Sequence, residues 1–278
     1  MTATTSRHVT VGVDGSAVSV RALDRAAEEA ALRALGLEIV YAVPDRDEAE
    51  PVLASAAARV RRRHPEVPVT TLGAEGHSAA ALVERARHAA LTVVGCRGLG
   101  SISGTLLGSV SMRLAAHAPG PLLVVRGGVS SRRNGEVLVG LEDPADADTA
   151  AYAFQEAELR GARLRVLRSP ARRGGAEQTE HRRGGRTAWL SPDAGVAAAS
   201  ARALVEASRT ADLVVAAGRP GPPGPGRRLG TVARALLHRA HCPVLFVPGV
   251  TVPFRPPPAG REAAGVTPRR ARGRAGRP

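Results

Sequence analysis

Hydrophobic and polar residues follow two different periods along the first half of the chain. Val9, Val11 and Val13 alternate with other residues, as in a strand. Apolar side chains over 20–31 then recur on one face of a predicted helix, and Gly36 is expected to end this helix. Further strands are predicted at 37–43, 67–72, 91–94 and 121–125, and further helices at 49–63, 78–90 and 109–117. Strands that alternate with helices predict a parallel sheet with helices on both faces.

The same order of elements restarts after a change in composition near residue 127. Residues 127–135 form a polar, Gly- and Arg-containing linker, after which 136–167 repeat the plan of residues 8–43 and 211–247 repeat that of 90–125. The sequence therefore predicts a tandem of two doubly wound, five-stranded α/β domains. Their predicted bounds, with the linker and the remaining tail, are 1–126, 127–135, 136–248 and 249–278.

Two segments do not follow the repeat. Residues 169–186 are too polar and too rich in Gly and Arg to bury a face, so we predict a flexible insertion there. The final 30 residues hold seven arginines and one glutamate without periodicity, and we predict that they form a disordered basic tail.

The composition limits the classes of function. All 39 positive side chains are arginine and the net charge is +14, but aromatic residues make up only 2% of the chain. Nucleic-acid binding is not favoured, because no aromatic side chains are interleaved with the arginines to stack on bases. No apolar run approaches the roughly 18 residues of a membrane span. The two cysteines form no CxxC pair, and no leader pattern is present, so we expect a soluble protein of the reducing cytoplasm.

A glycine-rich segment, GCRGLGSISGTLLGS, joins the fourth strand to the next helix. It places Gly95, Gly98, Gly108 and Ser109 at the carboxyl end of a parallel strand, where such sheets bind ligands. Backbone amides at a helix N-terminus favour an anion, and glycines allow the backbone to approach phosphates. Asp14, after the first strand, is expected to point into the same crevice. We predict a nucleotide site built mainly from backbone.

Other interpretations of these residues stay open. Because the chain has no lysine and its first turn reads VDGSAVS, neither a Walker A loop nor a dinucleotide fingerprint is present. Asp14 could serve only to cap the first helix, as could Ser16. The glycines could form a plain loop, and Cys96 could be a reactive thiol next to a helix N-terminus.

The pattern Gly-x2-Gly-x9-Gly-Ser, with strand–Asp-Gly-Ser before it and PLLVV after it, resembles the universal stress protein family. The resemblance covers residues 7–126 and 136–248 and implies flavodoxin-like or Rossmann-like domains that bind ATP with Mg²⁺. In the first repeat it implies cofactor contacts from Gly12, Asp14, Ala42, Gly95, Gly98, Gly108, Ser109 and Val110. It implies no catalytic residue.

The second repeat departs from this pattern. Glu142 stands at the acidic position of the first turn, and aligning residues 214–215 with 93–94 puts Ala216 in the place of Gly95. The following loop carries four prolines, each of which removes a backbone N–H. We therefore expect the second site to be degenerate.

The last strands of the two repeats, 121–125 and 243–247, are apolar and lie at predicted sheet edges. Because exposed apolar edges invite pairing, we predict that these two strands pair in an internal pseudo-dimer, which resembles the dimerisation of single-domain family members. Homodimerisation of the whole chain stays open.

Fast catalysis is not favoured, because the predicted site offers one carboxylate and Arg97 and the chain has no lysine to clamp phosphates. We expect an ATP-binding, nucleotide-dependent stress-response regulator that acts through an unidentified protein partner. The alternatives are a slow ATPase or adenylyl-transferring enzyme on the same fold, a nucleic-acid-binding protein that uses the basic tail, and an interaction module with an empty site.

Overall fold

The computed structural model describes residues 7–43, 49–75, 78–96, 109–126, 134–141, 146–168, 201–218 and 229–249. The first repeat contains β1 (His8–Val13), α1 (Ala17–Leu32), β2 (Gly36–Val43), α2 (Ala49–Arg63), β3 (Val69–Glu75), α3 (Ser78–Arg85), β4 (Ala89–Cys96), α4 (Ser109–His117) and β5 (Leu122–Arg126). The second contains β6 (Glu136–Leu141), α5 (Ala147–Arg160), β7 (Arg163–Arg168), α6 (Ala201–Ala207), β8 (Leu213–Ala217), α7 (Thr231–Arg239) and β9 (Val244–Val247).

Within these described residues, nine strands form one sheet in the order β3-β2-β1-β4-β5-β9-β8-β6-β7. Neighbouring strands are parallel except at the centre, where β5 and β9 run antiparallel, and this confirms the predicted tandem α/β fold. Three predicted segments lie outside the described residues: the third of the five strands of the second repeat, the insertion at 169–186 and the tail after residue 249.

The pairing of β5 with β9 joins the two repeats. Leu122 faces Phe246, Leu123 faces Leu245 and Val124 faces Val244, and all of these side chains are buried. The prediction that the two apolar edges cover each other is therefore confirmed. The sheet continues through the junction, so that neither repeat exposes this edge to water.

Helix ends differ slightly from the sequence predictions. The α1 helix is closed by Ala34, which takes a left-handed φ of 52°, and the expected closing residue Gly36 instead begins β2. Gly161, with φ of 61°, ends α5 in the same way. Helix α3 ends at Arg85 rather than at residue 90, because Ala89 already pairs with the start of β1.

Two apolar layers cover the two faces of the sheet. Helices α1, α2 and α5 pack on one face, and α3, α4, α6 and α7 pack on the other. Both layers consist mainly of Ala, Val and Leu, as the low aromatic content predicts. The sheet is therefore doubly wound, with helices on both faces.

A buried ring of four charges joins α1 to α5. The Glu29 carboxylate accepts hydrogen bonds from Arg33 and Arg160, and the Glu156 carboxylate accepts from the same two guanidinium groups. The side chains of Glu29 and Arg33 are each 1% exposed. Each repeat contributes one Glu and one Arg four residues later, so the ring has approximate two-fold symmetry between the repeats.

Candidate functional site

The candidate site lies where the chain changes direction across the sheet. The first repeat builds β2 and β3 on one side of β1 and then crosses to place β4 on its other side. The carboxyl ends of β1 and β4 therefore diverge into different loops, and this topological switch point is where open α/β sheets bind ligands. Gly12 and Asp14 lie at the end of β1, and Gly95 lies near the end of β4.

The turn after β1 is held by its own side chains. The exposed Asp14 carboxylate accepts hydrogen bonds from the Ser16 backbone N–H at 3.0 Å and from the Ser16 hydroxyl at 2.5 Å. The Ser16 Oγ in turn accepts from the Ser19 N–H at 3.2 Å and is the N-cap of α1. Gly15 has φ of 75°, which few other residues adopt. Ser16 is thus the helix cap, while Asp14 orders the turn and remains exposed after the end of β1.

Gly12 packs closely against helix α3. A Cβ at this position would lie 2.6 Å from Leu82 Cδ1 of α3. Gly140 stands at the matching place in β6, where a Cβ would lie 2.5 Å from Leu204 Cδ1 of α6. Both repeats therefore use a glycine to let a leucine of the covering helix reach the sheet. The contact of the Gly12 backbone with adenosine stays a prediction.

Gly95 belongs to β4 rather than to the loop, because it pairs with Val125 of β5. A Cβ here would lie 2.8 Å from Val18 Cγ1 and 2.9 Å from Val18 O, so the glycine allows α1 to approach the strand. The Gly95 carbonyl accepts a hydrogen bond from the buried Ser111 hydroxyl at 2.9 Å. This contact fixes the start of α4 against the end of β4. Ser111 is not among the residues predicted from the sequence, where its signal is a hydroxyl on the first turn of an otherwise apolar helix face.

The remaining predicted contacts are only partly described. Ser109 and Val110 are the first two residues of α4, as predicted, and Val110 packs against the apolar layer beneath the helix. Ala42 lies near the end of β2, where it pairs with Ala74. Gly98 and Gly108 lie outside the described residues, as does the side chain of Ser109. The structure thus brings the ends of β1, β2 and β4 and the start of α4 to one edge of the sheet.

The hypothesis that Cys96 is a reactive thiol is wrong. Its side chain is fully buried, and its Sγ donates to the Leu237 carbonyl of α7 at 3.8 Å. Burial raises the pKa of the Cys96 thiol, which opposes thiolate formation. Burial likewise raises the pKa of Cys242 to about 12, and Cys242 lies in the core.

The alignment of the second repeat made from the sequence is wrong by one residue. Thr92 and Val214 occupy matching places. Each donates its backbone N–H, at 3.0 Å, to the carbonyl oxygen of the proline that precedes the last strand of its repeat. Ala217, rather than Ala216, therefore corresponds to Gly95. In this register the two loops have equal length, and the Gly-Thr pair before α7 matches the Gly-Ser pair before α4. A proline stands where the first repeat has its middle glycine.

A cavity of about 180 Å³ lies at the matching edge of the second repeat. Its walls include Gly140, Leu204, Ala217, Gly230 and Thr231, which are the counterparts of Gly12, Leu82, Gly95, Gly108 and Ser109. The buried Asp146 also lines this cavity. The second repeat therefore keeps a crevice at its switch point, although its chemistry differs from that of the first.

These features define a tandem α/β protein with small residues at the switch point of each half. The chain belongs to the universal stress protein family, whose family model matches residues 5–126 and 193–248. It is 28% identical over 300 residues to Universal stress protein Rv1996 of Mycobacterium tuberculosis, covering 87% of this chain and 95% of that relative. It is 37% identical over 132 residues to Rv2623 of the same organism, covering 42% of this chain and 44% of that relative.

A solved structure with a TM-score above 0.5 shows the same fold. A functionally unknown protein, PA1789, from Pseudomonas aeruginosa PAO1 has a TM-score of 0.61 and 17% identity, with 87% of this chain and 92% of that chain covered. A universal stress protein in complex with cAMP is 32% identical over 44% of this chain and 98% of that chain, with a TM-score of 0.38. In the described part of the present chain, no helix is long and apolar enough to cross a membrane.

Proposed function

We propose that the crevice of the first repeat binds ATP with Mg²⁺ and that the chain acts as a nucleotide-dependent regulator of a stress response. The observation that best supports this is the junction of β4 with α4. There Gly95 allows the end of β4 to lie close to α1. The Ser111 hydroxyl donates to the Gly95 carbonyl and so holds the start of α4 against the end of β4. A helix N-terminus at a switch point favours a bound polyphosphate even when the protein supplies no lysine.

Under this proposal the protein supplies mainly backbone donors. Gly98, Gly108 and Ser109 would meet the phosphates and ribose, while Gly12, Asp14 and Ala42 would flank the adenosine. Among the described residues, no group of three or more His, Cys, Asp or Glu could hold a metal ion. Mg²⁺ would therefore be held by phosphate oxygens together with the Ser109 hydroxyl, as the ion's preference for oxygen ligands and retained waters requires.

Binding rather than fast turnover is proposed, because ATP hydrolysis needs a positioned water and charge stabilisation for the transferring phosphoryl group. The only described carboxylate at the crevice of the first repeat, Asp14, is already engaged with Ser16. We propose a cytoplasmic location and a protein partner that responds to the nucleotide-bound state.

The test is calorimetry with MgATP, ADP and cAMP on the purified full-length chain, after native mass spectrometry for co-purified nucleotide. Gly108→Arg and Asp14→Ala should abolish ATP binding while leaving the fold intact. Asp148→Ala, which removes an exposed carboxylate on α5, is the matched control and should bind as the wild type does. Unchanged affinity in both crevice variants would refute this placement, and steady multiple turnover of ATP would favour the slow enzyme instead.

A further inference from the structure

A helix of the second repeat reaches the carboxyl edge of the first repeat. Because β5 and β9 run antiparallel, the end of β5 lies beside the start of β9, and α7 ends just before β9 begins. Cys96, the last residue of β4, contacts this helix end, since its Sγ donates to the Leu237 carbonyl at 3.8 Å. The end of α7 therefore lies against the strand ends at which the candidate site of the first repeat is found.

Arg126 joins the two repeats at this edge. It is the last residue of β5 and pairs with Cys96 of β4. Its guanidinium group donates to three main-chain carbonyls in the last turn of α7, those of Leu236, Leu237 and His238, the last of them at 2.7 Å. The last carbonyls of a helix have few partners within the helix, so Arg126 supplies donors that the end of α7 needs.

No carboxylate balances the charge of Arg126 in the part of the chain that the structure describes, where Arg126 belongs to none of the ion pairs. Burial lowers the pKa of its guanidinium group, but an arginine stays protonated at neutral pH. The charged side chains next to it are also basic. Burial lowers the pKa of His238, and the nearby charges of Arg234, Arg126 and Arg239 lower it further.

This charge matters because helix C-termini repel anions. The aligned peptide dipoles give the end of α7 about half a negative charge, whereas the guanidinium group carries a full positive charge. The first turn of α4 is held at the Gly95 carbonyl by Ser111, one residue before Cys96, and α4 and α7 pack on the same face of the sheet. A phosphate bound at the start of α4 would therefore lie near the end of α7, where Arg126 makes the net charge positive.

The second repeat has no cation at the matching position. Pro121 and Pro243 precede the last strands of the two repeats and accept equivalent backbone hydrogen bonds. Five residues after each proline stand Arg126 and Pro248, respectively. Only the first repeat thus has an arginine at the carboxyl end of its last strand.

We propose that Arg126 is a positioning residue through which the second repeat favours phosphate binding in the first crevice. It fixes the end of α7 beside β4 and cancels the negative charge of that helix end. This rests on the proposed function of the first crevice. Its consequence is that nucleotide affinity depends on the charge at residue 126, and that this dependence is weakened by salt.

The experiment measures the affinity of the full-length chain for MgATP by calorimetry at about 0.05 M and about 0.5 M salt. Arg126→Met removes the charge and should weaken binding about tenfold or more at the lower salt concentration and about threefold or less at the higher one, because salt screens charge interactions. Arg126→Lys keeps the charge and should bind within about threefold of the wild type. Arg168→Met is the matched control, because it removes the same charge from the exposed end of β7, and it should bind as the wild type does.

Circular dichroism and the melting temperature establish that each variant is folded, and Arg126→Gln, which still offers an amide donor, replaces Arg126→Met if that variant does not fold. Equal affinities of the uncharged variant and Arg168→Met would overturn the inference. A loss of the same size at both salt concentrations, or an equal loss in Arg126→Lys, would also overturn it, because Arg126 would then be a purely structural contact. A wild type that binds no nucleotide refutes the proposed function as well, whereas MgATP binding that does not respond to the charge of residue 126 refutes this inference alone.

Discussion

Replacing Glu29 by Gln should destabilise the fold by about 3 kcal/mol, because the Glu29 carboxylate holds together a buried ring that spans both repeats. It accepts hydrogen bonds from Arg33 and Arg160 and lies 2.9 Å from a guanidinium nitrogen of Arg25, while only 1% of its side chain is exposed. These arginines hold the pKa of Glu29 at about 2, although burial alone would raise it above its ordinary 4.5. The difference between a pKa of about 2 and the ordinary 4.5 corresponds to about 3 kcal/mol of stabilisation at neutral pH.

A loss of about 3 kcal/mol agrees with the cost of breaking a buried ion pair, which leaves a partner charge buried and uncompensated. It is also a large share of the roughly 5–15 kcal/mol that stabilises a typical protein. Urea unfolding at pH 7 measures the change directly. Glu28→Gln is the matched control, because Glu28 precedes Glu29 on the same helix, has a side chain 44% exposed and contacts only Arg25 among the ion pairs of the described residues. We expect it to change the free energy of unfolding by about 0.5 kcal/mol or less.

The pH dependence gives a second measurement. Because the pKa of Glu29 in the folded protein lies below its value in the unfolded chain, its stabilisation is complete above about pH 4.5 and is lost as the pH falls towards 2. The difference between wild type and Glu29→Gln should therefore shrink from about 3 kcal/mol at pH 7 to near zero at pH 2. A folded Glu29→Gln as stable as Glu28→Gln at pH 7, or a difference independent of pH, would contradict the role of the ring.

Two further predictions concern packing. Gly95→Ala should destabilise the protein by about 1–3 kcal/mol, because the new methyl group meets the Val18 backbone. The control Gly73→Ala should cost less, because the nearest atom to its methyl group is 3.4 Å away. Thermal unfolding compares the two variants, and equal melting temperatures would argue against a tight contact at Gly95. Cys96 and Cys242 should resist an aromatic disulfide reagent in the native protein and react in urea, because burial raises both thiol pKa values; rapid native labelling would contradict the burial.

Much of the fold could be predicted because it depends on local periodicity. The alternation of strand and helix patterns, the tandem repeat and the bounds of α2 and α4 follow from spacing along the chain. The pairing of β5 with β9 followed from a simple physical argument, namely that two apolar edges in one chain gain by covering each other. The placement of the candidate crevice followed from the rule that parallel sheets bind ligands at their carboxyl edge.

The individual roles of the site residues could not be predicted in this way. The glycine pattern indicated a phosphate loop, yet Gly12 and Gly95 also lie where a helix packs closely against the sheet. Cys96 follows a glycine in the sequence and suggested an exposed loop thiol, but the strand continues through it and α7 covers it. The signals for Ser111 and Asp146 were single polar residues, whose neighbours come from distant elements.

The sequence by itself determined the two periods, the repeat and the family pattern, since each depends on residues that are near one another along the chain. Only the tertiary structure decided how β8 aligns with β4 of the first repeat. Similar residues in both strands fit two alignments that differ by one residue, and the pairing of β8 with β6 and β9 distinguishes between them. It also decided that two Glu–Arg pairs, each typical of an exposed helix face, form one buried ring. Their burial depends on a two-fold relation between segments more than 100 residues apart, which no local pattern encodes.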